Sequence, residues 1–188
     1  EAMMIISQCM PDLVTVDLSL DGDMSGLDVI KALRGRFRDM KILVISMYEG
    51  PLYVDRAIRA GANGYIHKKN AYNSIIEAIK KISSGELYLN ENMTSQLLNR
   101  IYPGKTKNHE TIIDVLTDRE FEIFQMIGST YNTKEISKKT GISINTVQTH
   151  KRHIKEKLGL KNHSELIGHA VLFIQKQSLP LNPGSDNP

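Results

Sequence analysis

The sequence predicts two units in tandem: an α/β domain on a partial parallel sheet, then a small all-α module of four helices. Three observations predict it. Short β-branched apolar runs alternate with helical patterns from Leu13 to Ser83. Four short helical patterns, each opened by a polar cap, fill residues 117–175. Charge divides the chain as well: residues 117–177 hold ten Lys/Arg against six Asp/Glu, whereas the residues before Thr117 balance at fourteen of each. A length of 188 residues accommodates two small domains, each able to bury a core.

LVTVDL (Leu13–Leu18), KILVISM (Lys41–Met47) and GYIH (Gly64–His67) are nearly continuous apolar runs, as strands covered on both faces would be. Helical periodicity lies between and after them, at Leu27–Phe37, Tyr53–Ala60 and Tyr72–Ser83, the last with Ile75, Ile76, Ile79 and Ile82 along one side. Strand alternating with helix implies right-handed crossovers, hence a parallel sheet with helices on both faces. A further helix is expected over Asn90–Tyr102, with Met93, Leu97, Leu98 and Ile101 on one side. Pro103–Glu110 has neither periodicity nor apolar weight and reads as a linker. The domains are therefore drawn at 1–88, a linker with one helix at 89–113, the helical module at 114–177 and a disordered tail, SLPLNPGSDNP, at 178–188.

In the C-terminal module, Thr117 with Glu120, Asn132 with Glu135 and Asn162 with Glu165 have the spacing of capping boxes. With Ser143 as a fourth cap they define helices at Asp118–Gly128, Thr133–Thr140, Ile144–Leu158 and His163–Gln175. Gly141 suits the left-handed turn that ends the second. In the third helix, Ile144, Val147, Ile154 and Leu158 share a narrow stripe. Lys151 falls on that stripe too, with its stem packed and its ammonium reaching out to water. Asn145, Gln148, Thr149, Arg152, His153 and Glu156 cover the remainder. On pattern alone two readings are open: a core helix with a solvated basic face, or a helix whose free face lies against DNA. A local basic excess is what a phosphate-binding surface requires.

In an open parallel sheet, function gathers at the carboxyl ends of the strands. Asp17, Ser46 and Lys68 fall there, and a carboxylate can accept a phosphoryl group while an amine and a hydroxyl hold its oxygens. PDLVTVDLSL, SGLDVI, ILVISM and GANGYIHKK resemble the receiver domain of bacterial two-component response regulators, a flavodoxin-like parallel sheet. The resemblance implies Asp17 as phosphoacceptor, Ser46 as switch hydroxyl, Tyr65 as switch aromatic and Lys68 as the phosphate-contacting lysine. It also implies Mg²⁺ held by Asp17 and, through its backbone carbonyl, by Ser19. The chain departs from the family in lacking the first strand with its adjacent acids, the helix after it and the second strand, so the metal site is incomplete. Asp21 stands where the family usually has proline, in a loop one residue longer before Gly26, and Asp21 and Asp23 read as solvated loop charges. The chain opens at Glu1 without an initiator methionine and reads as a fragment. Loss of the first two strands leaves Leu13–Leu18 as an open edge that invites self-association.

LTDREFEIFQMIGSTYNTKEISKKTGISINTVQTHKRHIKEKLGLKNHSELIGHAV resembles the LuxR-type helix-turn-helix, and with a receiver it gives the NarL/FixJ type of response regulator. By position, Thr133–Thr140 is the supporting helix and Asn145–Leu158 the recognition helix. Gln148, Thr149 and Arg152 match positions that face base edges, and Lys134, Thr146 and Lys155 match phosphate partners. Gln148 replaces a frequent lysine, and Thr130 replaces a usual glycine in the turn before the supporting helix. The last helix closes the small core and, in this family, also dimerises. The implied partners are double-stranded DNA, a sensor histidine kinase and a second copy of the chain.

A single cysteine, Cys9, excludes an internal disulfide and points to a reducing cytoplasm. No apolar run of membrane-spanning length and no signal-peptide pattern is present. An enzyme is the weakest reading, for want of a nucleophile–base pair, a metal cluster or a nucleotide loop. His150 and His153 lack the further ligands a metal needs. The leading expectation is a phosphorylation-controlled transcription regulator; the alternative is a DNA-binding regulator whose degenerate receiver serves protein interaction only.

Overall fold

The computed structural model describes residues 2–20, 24–48, 50–101 and 115–178. Contacts divide the chain into two compact units, Glu1–Asn108 and His109–Pro188. Asp21, Asp23, the linker Pro103–Glu110 and the tail beyond Ser178 lie outside the described residues.

The first unit has helix α1 (Ala2–Cys9), strand β1 (Leu13–Val16), α2 (Gly26–Arg36), β2 (Lys41–Ser46), α3 (Pro51–Ala60), β3 (Gly64–His67), a 3₁₀ turn at Lys68–Asn70, α4 (Ala71–Ser83) and α5 (Glu91–Ile101). The strands form one parallel sheet in the order β1-β2-β3. Leu13 aligns with Lys41, and Ser46 with His67. β1 is an edge of this sheet, as the sequence implied.

Burial follows the two-faced sheet. Ile42, Leu43 and Val44 of β2 are fully buried. Leu43 and Ile66 pack with Ala78 and Ile82 of α4 and with Tyr88. Beyond α4, Tyr88 donates to Asn63 and accepts from the Tyr65 N–H, which extends the far side of β3 by one bridge. α5 packs on α3 and buries its own Met93 and Leu97.

Helix α1 was not anticipated, because AMMIISQC has no capping residue and buries none of its side chains in the described unit. β1 ends at Val16, two residues short of expectation. The backbone turns there, since the Gly26 N–H donates to Leu18 O rather than Leu18 continuing the ladder. α2 starts on a capping box that links Ser25 and Asp28.

The second unit has α6 (Asp118–Gly128), α7 (Thr133–Thr140), α8 (Ile144–Leu158) and α9 (His163–Ser178). α6 is the hub, buried along nearly its whole length and packed on both α8 and α9. Its approach to α9 is close: a Cβ added at Gly128 would sit 2.3 Å from Ala170 O. Arg119 and Glu122 pair at 2.7 Å inside the unit, and Arg119 also donates to Thr140 O at the end of α7.

The Thr117 and Asn132 boxes form in full. At α9 the box is altered: Asn162 Oδ1 accepts from the Glu165 N–H, but the Glu165 carboxylate takes the Lys161 N–H and the Asn162 amide. α9 also runs three residues beyond the expected Gln175.

Candidate phosphoacceptor and nucleic-acid interface

Asp17 lies just beyond the carboxyl end of β1, half-buried. Its Oδ1 accepts the Ser19 N–H at 3.0 Å and its Oδ2 pairs with Lys68 Nζ at 2.6 Å. The pair spans the sheet from β1 to the end of β3. Gly26 is what allows the Asp17 turn, because a Cβ there would meet Asp17 O at 2.3 Å and Leu18 Cα at 2.5 Å.

Ser46 is fully buried, and its hydroxyl accepts the Tyr48 N–H at 3.1 Å. Tyr65, also buried, donates its phenol to Tyr48 O at 2.7 Å. Ser46 and Tyr65 thus meet through the backbone of Tyr48.

Two further residues, passed over in the sequence, complete this arrangement. His67, two positions after Tyr65 and therefore on the same face of β3, bonds Met47 O through Nε2 at 3.0 Å. Its Nδ1 accepts the Lys69 N–H, which makes Nε2 the protonated nitrogen. Tyr48 itself stacks on Tyr53 of α3, centroids 4.3 Å apart. The strand alternation pairing His67 with Tyr65 was a readable signal; the Tyr48 stack, between a loop and a helix, was not.

The donor set for Mg²⁺ is short. Magnesium wants six oxygens in octahedral array, several of them water. Asp17 offers one carboxylate already held by Lys68, and Ser19 one carbonyl. Among the described residues no group of three acidic, histidine or cysteine side chains could hold a metal. The described residues do not make a metal site by themselves.

In the second unit, Ser143 caps α8 by accepting the Thr146 N–H at 3.1 Å, and Gly141 takes the left-handed turn before it (φ 67°). Val147 and Ile154 are fully buried and Leu158 half-buried, but Ile144 is not on the packed stripe: it is 45% exposed. It is the first residue of the helix. Lys151 lies on the inward stripe with its stem packed. It is 5% exposed, and its ammonium bonds the Thr133 hydroxyl at 2.8 Å.

Gln148, Thr149 and Arg152 are exposed on one face. Thr149 donates its hydroxyl back to Asn145 O, which leaves its methyl to meet a partner. Arg152 is held by Glu156 at 3.1 Å and by His153 Nε2 at 3.2 Å. Such an exposed i,i+4 pair is worth about 0.3–0.5 kcal/mol, so Arg152 is released at small cost. Gln148, Arg152 and Lys155 line one cavity. Lys134 and Thr146 stand elsewhere on the exposed surface, with the Thr146 hydroxyl shared with Ser143.

Glu120 ties α8 to α6. Its carboxylate accepts from Lys157 at 2.6 Å and from the Thr117 N–H at 2.8 Å, and lies 3.8 Å from His153 Nδ1. Burial alone would raise its pKa; the Lys157 and Thr117 hydrogen bonds outweigh burial and hold it below the usual carboxylate value. His150 beside it is pushed below the ordinary imidazole value, mainly by burial.

A sheet whose edge presents a carboxylate and a lysine in contact, and a helical unit with a capped, basic, exposed helix, define a response regulator. The family model described as "Response regulator receiver domain" matches residues 1–80. The model described as "Bacterial regulatory proteins, luxR family" matches residues 114–170. The chain belongs to the NarL/FixJ type of response regulators, a receiver followed by a LuxR-type DNA-binding domain. It is 34% identical over 174 residues to the oxygen regulatory protein NreC of Staphylococcus carnosus (strain TM300), a match covering 91% of this chain and 80% of that protein. It is 33% identical, over the same shares, to NreC of Staphylococcus aureus (strain JH9). Its fold is similar to that of RcsB from Salmonella enterica serovar Typhimurium, solved bound to promoter P1flhDC in the presence of phosphomimetic BeF3-. That match has a TM-score of 0.54 and 22% identity, and covers 90% of this chain and 80% of that chain.

Proposed function

We propose that Asp17 is the phosphoacceptor through which this regulator controls its DNA-binding module, and that the exposed face of α8 reads the DNA. The observation that carries the first half is the Asp17–Lys68 contact at the carboxyl edge of the sheet. In the transfer, a phosphohistidine of a sensor kinase supplies the group. A carboxylate oxygen of Asp17 forms the new O–P bond as the N–P bond breaks, and the imidazole leaves with the electron pair. Lys68 is already in place to neutralise the phosphoryl oxygens.

Ser46 now uses a lone pair to accept the Tyr48 N–H, so its own O–H proton is available to a phosphoryl oxygen. A pull on Ser46 moves Tyr48. Through its carbonyl Tyr48 is coupled to Tyr65, and through its ring to Tyr53 on α3. The loop after β2 is the two-position element that phosphorylation biases.

On the DNA side, Arg152 suits a guanine edge, Gln148 an adenine edge and the Thr149 methyl a thymine methyl, while Lys134, Thr146 and Lys155 meet phosphates. Ile167 and Leu172 of α9 are exposed, 40% and 57%, and we infer that a second copy packs on this helix, which gives two half-sites. Among the described residues no helix is long and apolar enough to cross a membrane, and a regulator of this kind works in the cytoplasm, where its DNA and kinase partner's phosphorylated domain are found.

Intact mass after treatment of the full-length protein with acetyl phosphate and Mg²⁺ tests the first half. One added phosphoryl group in the wild type and none in Asp17→Asn supports it; no gain in the wild type favours a receiver that acts by protein interaction alone. For the second half, Arg152→Ala relaxes base preference whereas Lys155→Ala weakens all sequences alike. Equal effects of the two would refute the assignment.

A further inference from the structure

Lys151 is a buried cation with no counter-ion among the described residues. It is 5% exposed, its ammonium bonds only a neutral hydroxyl among the described residues, and burial, with no carboxylate acting on it, pushes its pKa below the ordinary lysine value. Taking an ammonium out of water is strongly unfavourable unless an anion compensates it. The fold nonetheless places this one in the second unit, beside an opening.

That opening is a cavity of about 300 Å³ lined by Thr133, Gln148, Lys151, Arg152, Lys155 and His163. Three cations, a hydroxyl, an amide and an imidazole line it, and among the described residues no acid does. Thr133 and His163 are the first residues of α7 and α9, so the positive ends of two helix dipoles lie at its wall. The His163 pKa is lowered, first by burial and then by Lys151 and Lys155. The geometry describes a site for one anion. Gln148, Arg152 and Lys155 also belong to the face assigned above to DNA, which selects the source of that anion.

We propose that this cavity seats one phosphodiester of the DNA backbone, with Lys151 as its buried anchor and Thr133, Lys155 and His163 completing the cradle. The proposal rests on the DNA-reading assignment and adds a ligand to it. Lys151 lies on the inward stripe of α8, yet here it serves binding rather than packing. One phosphate then touches α7, α8 and α9 together, so it fixes the depth and tilt at which the reading face meets the bases.

Two variants of the full-length protein test this: Lys151→Met, which keeps the stem and removes the charge, and Thr133→Asp, which supplies an internal counter-anion at a position where an acid suits the helix start. Binding of a fluorescent duplex is followed by anisotropy across a salt series, and melting temperature is measured without DNA. The expected result is an unchanged or higher melting temperature in both variants, with duplex affinity lowered about tenfold and the salt slope reduced by about 0.9, the share of one phosphate. Lys151→Arg restores the slope.

Wild-type affinity and slope in Lys151→Met would overturn the seat while leaving the reading of DNA by α8 intact. A lowered melting temperature in both variants would assign Lys151 a structural role and overturn it as well. If the wild type binds no duplex at any salt, the DNA-reading assignment itself fails. Stabilisation of the wild type, but not of Lys151→Met, by inorganic phosphate with unchanged duplex affinity would mark a free-anion site and overturn the DNA assignment of the cavity.

Discussion

Replacing Thr130 with glycine should stabilise the DNA-binding module. Thr130 has φ 66°, a left-handed conformation that β-branched residues rarely adopt. It does so because it occupies the position after the cap of α6, where the Thr130 N–H donates to Ile127 O and the Tyr131 N–H to Met126 O. This paired bonding ends a helix and calls for glycine at that residue. The left-handed conformation costs a residue with a Cβ roughly 1–2 kcal/mol. Glycine returns about 0.5–1 kcal/mol of that through the extra freedom of its unfolded chain. Thr130 is exposed, so nothing else is lost. The net gain is about 0.5–1 kcal/mol, which for a module of this size raises the melting temperature by about 2–8 °C. Scanning calorimetry of the full-length protein measures it, with Thr130→Val, which keeps the branch, as a control matching the wild type. A Thr130→Gly transition at or below the wild-type temperature would refute the strain argument.

Other perturbations follow from the same geometry. Gly26→Ala should cost about 1–3 kcal/mol in urea denaturation, because the new methyl meets backbone at Asp17 and Leu18 that cannot give. The same variant should slow phosphoryl uptake by Asp17, and wild-type stability and uptake together would contradict the placement of that turn. Glu120 has a folded-state pKa below its ordinary value, so the stability it contributes is present above the unfolded-state pKa and is lost as pH falls through the folded one. Melting temperature followed between about pH 5 and pH 3 should therefore fall less steeply in Glu120→Gln than in the wild type, and equal slopes would remove Glu120 from the acid transition. His150 is also lowered, so its charging opposes folding: stability falls as pH drops below the unfolded imidazole value, and His150→Gln should flatten that limb.

What was legible in the sequence was local. The helix starts at Thr117, Asn132 and Ser143 could be read because a cap and its partner lie within one turn. The parallel sheet was readable from continuous apolar runs, and the strand ends then placed Asp17 and Lys68 on one edge. Contacts made by distant segments were hidden. The depth of Lys151 is set by Thr133 of another helix, so the periodicity of α8 could show only that the residue faced inward. The backbone of Tyr48 joins Ser46 to Tyr65 across a loop whose sequence has no signature. Ile144 was misplaced because a stripe drawn on a helix assumes a neighbour along its whole length, and the first residue of α8 is left exposed. At α9 the spacing was right and one bond of the box went elsewhere, to the Lys161 N–H.

The central claim, that phosphate on Asp17 governs DNA binding by α8, is tested most directly by duplex affinity measured on the same protein before and after phosphorylation. The wild type should change by about fivefold or more, the lower range of a coupling between two sites, while Asp17→Asn stays at the unphosphorylated value under identical treatment. An unchanged wild-type affinity on a protein whose mass shows Asp17 fully phosphorylated would contradict it.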